Sequence, residues 1–519
     1  MKKSEYGAIT PIESAIPADR QSAKRHYGVH PYFTRRPYNV VRDYILHYSR
    51  EHDRVLDPFG GSGVTAIEAY LENRVGIQND INPLANFIAQ GIADLRKGDI
   101  SEYESALASM RETCRPKLLE LERSAEEDMR SFTNGLKLPE NLELPKNSDV
   151  RTYWELFSHR QIAALALLRQ TVDQIQDTHA RKAMLLAWSA SLAKLNRTFL
   201  SAEGRAESRG GSSIFSIYRY KIAKEPVELP PWRTFEERAQ NVIAAKAEID
   251  RVVEFKRQTV GWAGEFEAHS RNIDNLGEEL SGKVDYIFTD PPYGGHISYL
   301  DLSTLWNCWL GSMPTRKTRQ SELIVGGDLN LTESAYIDRL GKSIKACVNM
   351  LKKDRWFSVV FQHWNTLYFD AILTSAAESG ADLRAAVPQI GDTIWSMHKK
   401  KGQESVLAGE LILTFYKTGK PARIGKPAKD FDIEATIVQI LSTADTKGLY
   451  GEHLFNQLVL SAWHRQAIGS LRITKNEFLE ILRRHGWEYD PTKHLWVKHK
   501  LETMLFCLEP EIKRSATPS

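Results

Sequence analysis

The chain has 519 residues, 42% of them hydrophobic and 26% charged, so two or three domains of ordinary soluble globular composition are expected. A formal net charge of +3 excludes a global electrostatic field as the basis of nucleic-acid binding and leaves local basic patches. The four cysteines (Cys114, Cys308, Cys347, Cys507) lie far apart with no CxxC pair and no His/Cys cluster, which argues against a disulfide framework or a structural zinc site, and no metal is expected. No apolar segment has the length of a signal or a membrane span, so a cytoplasmic protein without membrane contact is expected.

In chain order, PYNVVRDYILHYSR (37–50) has the spacing of an amphipathic helix opened by Pro37. RVLDPFGGSGVTAIEAYLENRVGIQNDINPLANFIA then reads as a strand at 54–56, a tight loop at 60–63, a helix at 64–72, a second strand at 75–78 and a helix at 83–89, a βαβ unit. Residues 99–200 turn helical and charged, broken near NGLKLPENLELPKNSD. A Gly/Ser-rich stretch, GRAESRGGSSIFSIYRYKI, a Pro-rich connector and a further helix, TFEERAQNVIAAKAEIDRVVEF, follow. Strand-like runs resume at 286–289, 357–361 and 410–416, so a helix-rich insertion splits one α/β domain, which the logarithmic cost of loop closure tolerates. After the linker KTGKPARIGKPAKD, helical segments and WEYDPTKHLWVKH, a hairpin with a turn at Asp490-Pro491, suggest either a winged helix or a small packing domain. Thr474 and Glu477 there have capping-box spacing. The expected divisions are 1–95, 96–265, 266–420 and 425–519.

In LDPFGGSGVT, glycines between a strand and a helix allow positive φ and close approach of a ligand to free N–H groups. Asp80 follows about twenty residues later at the end of the second strand, where a carboxylate accepts from both ribose hydroxyls; the alternative is a helix cap before INPLANFIA. The spacing is not GxGxxG and the P-loop Lys-Ser/Thr is absent, which disfavours a dinucleotide or a triphosphate.

Asp290-Pro291-Pro292-Tyr293 closes the strand DYIFT. In an open α/β sheet that end faces the ligand crevice, and prolines remove donors while presenting carbonyls in a stiff geometry. A carboxylate and a neighbouring carbonyl can accept both hydrogens of an exocyclic amine, with Tyr293 stacked on the attached ring. Alone, DPPY also reads as a turn.

Together, DPFGGSG and TDPPY resemble the paired signature of the amino-group DNA methyltransferases. The resemblance covers roughly residues 26–95 and 268–420. It implies S-adenosylmethionine as cofactor, methylation of adenine N6 or cytosine N4, and an α/β class I methyltransferase fold: a Rossmann-like, mostly parallel sheet with one antiparallel strand near the edge, a helical insertion and a C-terminal winged-helix-like domain. TIWSMHKKKGQESVLAGELILTFYK is similar to the family's terminal β-hairpin.

By the same resemblance, Asp57, Phe59, Gly60, Gly61 and Gly63 surround the methionine part of the cofactor, Asp80 holds the ribose, Ile81 flanks the adenine and Asp274 meets its amino group. Thr34 and Arg35 belong to an amino-terminal cofactor-contacting segment. Asp290, Pro291, Pro292 and Tyr293 bind and activate the target base. GGHISYLDLSTLWNCWLG resembles a subgroup of bacterial adenine-specific methylases, its Tyr299, Trp306 and Trp309 being expected in the core more than against a base. The place of the large insertion departs from the family's usual arrangement.

The reading is therefore an adenine-N6 DNA methyltransferase acting on a base flipped out of double-stranded DNA. Arg205, Arg209, Arg219 and Lys221, interleaved with aromatics, are candidate DNA contacts or ordinary solvated charges, and RRHGWEYDPTKHLWVKHK is a second candidate surface. Cytosine-N4 and RNA guanine-N2 methylation are the enzymatic alternatives. A catalytically silent DNA-binding subunit, with partner proteins of a restriction or defence complex, is the non-enzymatic one.

Overall fold

The computed structural model describes residues 5–19, 24–125, 129–200, 211–295, 297–390, 409–421, 431–444, 451–493 and 495–498. The chain divides into two compact units. The first runs from the amino terminus through Lys426, apart from Trp364–Thr366 and Gln403–Ser405, which group with the second, Pro427–Ser519.

The first unit is built on a seven-stranded sheet: β1 (Arg54–Asp57), β2 (Val75–Asn79), β3 (Glu265–His269), β4 (Val284–Thr289), β5 (Leu351–Phe361), β6 (Ala381–Ile390) and β7 (Gly409–Lys417). The order is β3-β2-β1-β4-β5-β7-β6. The first five strands are parallel, and β7 runs antiparallel to both β5 and β6. This is the mostly parallel α/β sheet expected, with its one reversed strand next to the edge. β4 is buried along its whole length, which explains its near-continuous apolar run.

Two strands escaped the sequence. β3 (EFEAH) sits at the sheet edge with partly exposed residues and lacks the β-branched composition that marks a strand. The terminal hairpin pairs β7 with Ala381–Ile390, so its first arm lies earlier than TIWSMHKK; residues 391–408 fall outside the described residues.

The long detour between β2 and β3 contains helices at Ile100–Thr113, His159–Asp173, Thr178–Ser191 and Pro231–Val260, and its apolar side chains join the same core as the sheet's. It grips the segment following DPPY. Tyr153 Oη donates to the Leu305 carbonyl (2.6 Å), Tyr220 Oη to that of Leu302 (2.7 Å), and Trp306 Nε1 to that of Ser189 (3.0 Å). Trp306 and Trp309 are buried, as expected. Tyr299 is not, because its ring faces a cleft. Tyr220, an aromatic of the candidate recognition loop, is a core residue for the same reason that its hydroxyl is fully engaged. Phe215 packs against Phe33 and Trp306.

The second unit contains helices at Ile433–Thr443, Gly451–His464 and Lys475–Arg484 and an antiparallel pair, Trp487–Asp490 with Leu495–Lys498. The Thr474–Glu477 capping box forms in both directions, and Asp490 Oδ1 accepts from Thr492 N in the hairpin turn (2.8 Å). Trp364 packs on Phe455 and Phe478. Among the described residues, no helix is long and apolar enough to cross a membrane.

Candidate functional site

Strand order reverses between β1 and β4, and at such a point the loops leaving neighbouring parallel strands turn to opposite sides and leave a crevice. A cleft of about 1240 Å³, open mouth included, lies there. Its walls include Thr34, Arg35, Asp57, Phe59, Gly60, Gly61, Asp80, Ile81, Asp274, Asp290 and Pro292. The turn after β1 and the turn after β4 therefore face one space, although more than 200 residues separate them. Three expected residues do not line it: Gly63, Pro291 and Tyr293. Gly63 is instead the left-handed cap (φ 89°) of the helix Val64–Leu71, and a Cβ there would lie 2.5 Å from Ala89 Cβ, so this glycine serves packing. Pro291 is buried, and Tyr293 stands behind Asp290 with its ring edge-on to Phe361.

The Gly-rich loop is held from beneath. Gly60 N donates to the Asn79 carbonyl (2.9 Å), and Gln78 Nε2 donates to the Gly61 carbonyl (3.0 Å). A Cβ on Gly60 would fall 2.1 Å from Gln78 Oε1, so a larger residue there would displace the Gln78 amide that holds the loop. Asp80 accepts from Gly61 N (2.9 Å) and from Asn82 N (2.8 Å). The helix Pro83–Asp94 is capped by Asn82, whose side chain accepts from Leu84 N, so the cap alternative for Asp80 does not hold. Burial pushes the Asp80 carboxyl up to about 6 against these hydrogen bonds. Asp274, exposed in the first turn of a helix capped by Asn272, reaches the far end of the cleft.

Asp57 is a buttress. Its carboxylate accepts from Thr289 Oγ1 (2.6 Å), Thr65 Oγ1 (2.9 Å) and Phe59 N (3.1 Å), and burial pushes it up to about 7. On the β4 side, Tyr336 Oη donates to the Pro292 carbonyl (2.6 Å), which engages the second proline of the motif.

Several cleft residues carry no motif. Tyr32 and Tyr299 stack across the mouth, with Thr34 Oγ1 and Tyr299 Oη 3.2 Å apart. Glu322 is buried, accepts from Leu300 N (3.1 Å), and is pushed up to about 8 by burial with Asp301 adding to the effect. Arg36 donates Nε to Asp290 Oδ2 at 2.5 Å. The doublet Arg35-Arg36 is visible in FTRRPY, but 254 residues of chain separate Arg36 from its partner and no local spacing announces the pair. Of the basic residues in the candidate recognition loop, Arg219 is ion-paired with Asp149 (2.5 Å) and Lys221 is exposed; Arg205 and Arg209 lie outside the described residues.

The donor set suits a nucleoside-type ligand: a carboxylate at the end of β2, an apolar Ile81 beside it, an acidic residue after β3, and a glycine turn stripped of Cβ atoms. Among the described residues no cluster of three or more His, Cys, Asp or Glu could hold a metal ion.

Residues 11–89 match the model of a DNA methylase family covering N6 and N4 enzymes. That match stops well before Asp290, which the fold brings to the same cleft. The type II methyltransferase M.MjaII of Methanocaldococcus jannaschii is 22% identical to the chain over 407 aligned residues, which span 68% of this chain and 74% of that protein. With the sheet topology, the chain is thus a relative of the amino-group DNA methyltransferases.

Proposed function

We propose that the protein is an S-adenosylmethionine-dependent DNA methyltransferase that modifies the exocyclic N6 of an adenine flipped out of double-stranded DNA. One observation carries this reading: Asp80 with its Gly60-Gly61 turn and Asp290 with Pro292 line a single cleft. When bound, S-adenosylmethionine supplies an electrophilic methyl group on a sulfonium.

The chain's own residues would do the rest. Asp80 would accept from the ribose hydroxyls, Ile81 and Asp274 would receive the adenine, and Asp57, Phe59 and Gly61 would border the methionine end, with Thr34 and Arg35 at its margin. Asp290 and a backbone carbonyl of the proline pair that follows it would accept the two hydrogens of the target amine, with Tyr293 behind them. Accepting both hydrogens localises the nitrogen lone pair, and rate would come from positioning and fixed electrostatics. The flip is required because a paired amino group cannot enter the cleft. The C-terminal unit, read as a winged helix, and Arg219 and Lys221 would meet phosphates. Partner proteins of a restriction or defence complex fit the same reading.

The test is to express the chain in a host free of DNA methylation and sequence the DNA for modified bases. N6-methyladenine in a defined context is expected. N4-methylcytosine would move the assignment to the second base, and unmodified DNA with methylated RNA would refute it. Asp290→Ala should abolish transfer and leave cofactor affinity nearly unchanged.

A further inference from the structure

Two consecutive arginines diverge at the cleft. Arg35 turns toward the Gly-rich loop, donating Nε to Ser62 Oγ (2.8 Å) and Nη2 to the His30 carbonyl (2.5 Å). Arg36 turns the other way. Its Nε donates to Asp290 Oδ2 (2.5 Å), its Nη2 to Tyr293 Oη (2.9 Å), and its Nη1 to the Glu410 carboxylate. Pro37, at the N-cap of the helix Tyr38–Tyr48, disfavours helical backbone at Arg36 and so keeps the pair outside the helix. Burial works against charge on both: it lowers Arg35 to about 10, whereas the Asp290 and Tyr293 neighbours outweigh it for Arg36, whose pKa is raised. Arg36 is therefore a permanent cation. It lines the cleft, with 17% of its side chain exposed, beside an Asp290 side chain that is 22% exposed.

A guanidinium fixed next to a carboxylate offers an acceptor and a donor side by side. The complementary guest presents an amino N–H next to a ring-nitrogen lone pair. Adenine has that edge at N6 with N1 or N7, cytosine at N4 with N3 and guanine at N2 with N3; the O6–N7 edge of guanine offers two acceptors and would set a lone pair against the carboxylate. Resting on the function proposed above, we propose that Arg36 reads the target base, donating to the ring nitrogen adjacent to the amine that Asp290 accepts. It would do so by exchanging its hydrogen bond to Tyr293 Oη for one to the base. Arg36 lines the cleft beside Asp290 whereas Tyr293 does not, so the donor released from Tyr293 Oη already stands at the wall the base would meet. Arg36 would thus select for an amidine-like edge, a discrimination that Asp290 alone, accepting from any amine, does not provide.

The test follows location of the modified site by sequencing. Duplex oligonucleotides carrying adenine, 7-deazaadenine or 1-deazaadenine at the target are compared as substrates of the wild-type protein and of R36Q. Loss of a charged hydrogen bond predicts that wild-type kcat/KM falls roughly 10- to 100-fold on one of the two analogues. R36Q should show a similar loss on adenine and no further loss on that analogue, with its melting temperature and calorimetric cofactor affinity retained. Wild-type protein that treats all three bases alike overturns the proposal without recourse to the variant. So does an R36Q that loses the full additional factor on the analogue. Wild-type protein that methylates no DNA at all refutes the methyltransferase reading itself; methylation of adenine with indifference to both ring nitrogens refutes only the role of Arg36.

Discussion

Thr289 Oγ1 donates a 2.6 Å hydrogen bond to Asp57 Oδ1, joining the last residue of β4 to the last residue of β1 across 232 positions of sequence. Both residues are buried, and the bond spans the place where strand order reverses. It ties the turn after β1 to the turn after β4. Thr289→Val keeps the side chain's shape and strands a buried acceptor, so it should cost about 1–3 kcal/mol in denaturant unfolding. A loss indistinguishable from zero would mean that the bond contributes nothing net.

Asp57 also sets a pH dependence. Burial raises its carboxyl from 3.8 to about 7 in the folded protein. Folding therefore favours the protonated form, and the stabilisation from this group is complete below pH 3.8 and lost as pH rises through about 7. In melting experiments between pH 4 and 7, the wild type should lose stability with rising pH relative to Asp57→Asn, whose side chain does not titrate. Parallel curves would place the titration elsewhere.

Asp80 should govern cofactor binding in the opposite sense. Its carboxyl stands at about 6 in the free protein, and ribose hydroxyls donate to the ionised form. Affinity for S-adenosylmethionine by calorimetry should weaken below pH 6 by up to about tenfold per unit. Asp80→Asn should bind more weakly at pH 8 and show a flatter profile; an unchanged affinity would return Asp80 to shaping the Gly61 turn alone.

Tyr336 holds the turn after β4 through the Pro292 carbonyl. Tyr336→Phe removes that single bond without emptying the core. Methyl transfer should slow by about tenfold in kcat, the cost of one hydrogen bond felt at the reacting group, with KM for the cofactor unchanged. A rise in KM without a change in kcat would instead show that the bond supports ligand binding.

Deleting residues 425–519 should weaken DNA binding more than cofactor binding, and the salt slope of what remains should be shallower because fewer phosphates are neutralised. Equal retention of both affinities would leave the C-terminal unit without a role in DNA contact.

Elements written in short-range pattern are legible in the sequence. β1, β2 and β4 declare themselves by apolar runs ended by Asp57, Asp80 and Asp290, and the Gly60–Gly63 turn and the Thr474 capping box by residue types that few backbones other than these require. Whether Asp80 caps the next helix could not be read in sequence, because a carboxylate at a strand end fits that role as well as a ligand's; the Asn82 side chain on Leu84 N shows that Asn82 is the cap. β3 stayed hidden because an edge strand with partly exposed residues need not be apolar, and the core placement of Tyr220 because its acceptors lie some 80 positions away. Arg36, Tyr336 and the Asp57–Thr289 bond belong to the same class. Local chemistry dictates which turns and strands form, since the forces involved act within a few residues; which side chains then meet at the cleft depends on the order in which the strands assemble, and no window of sequence contains that order.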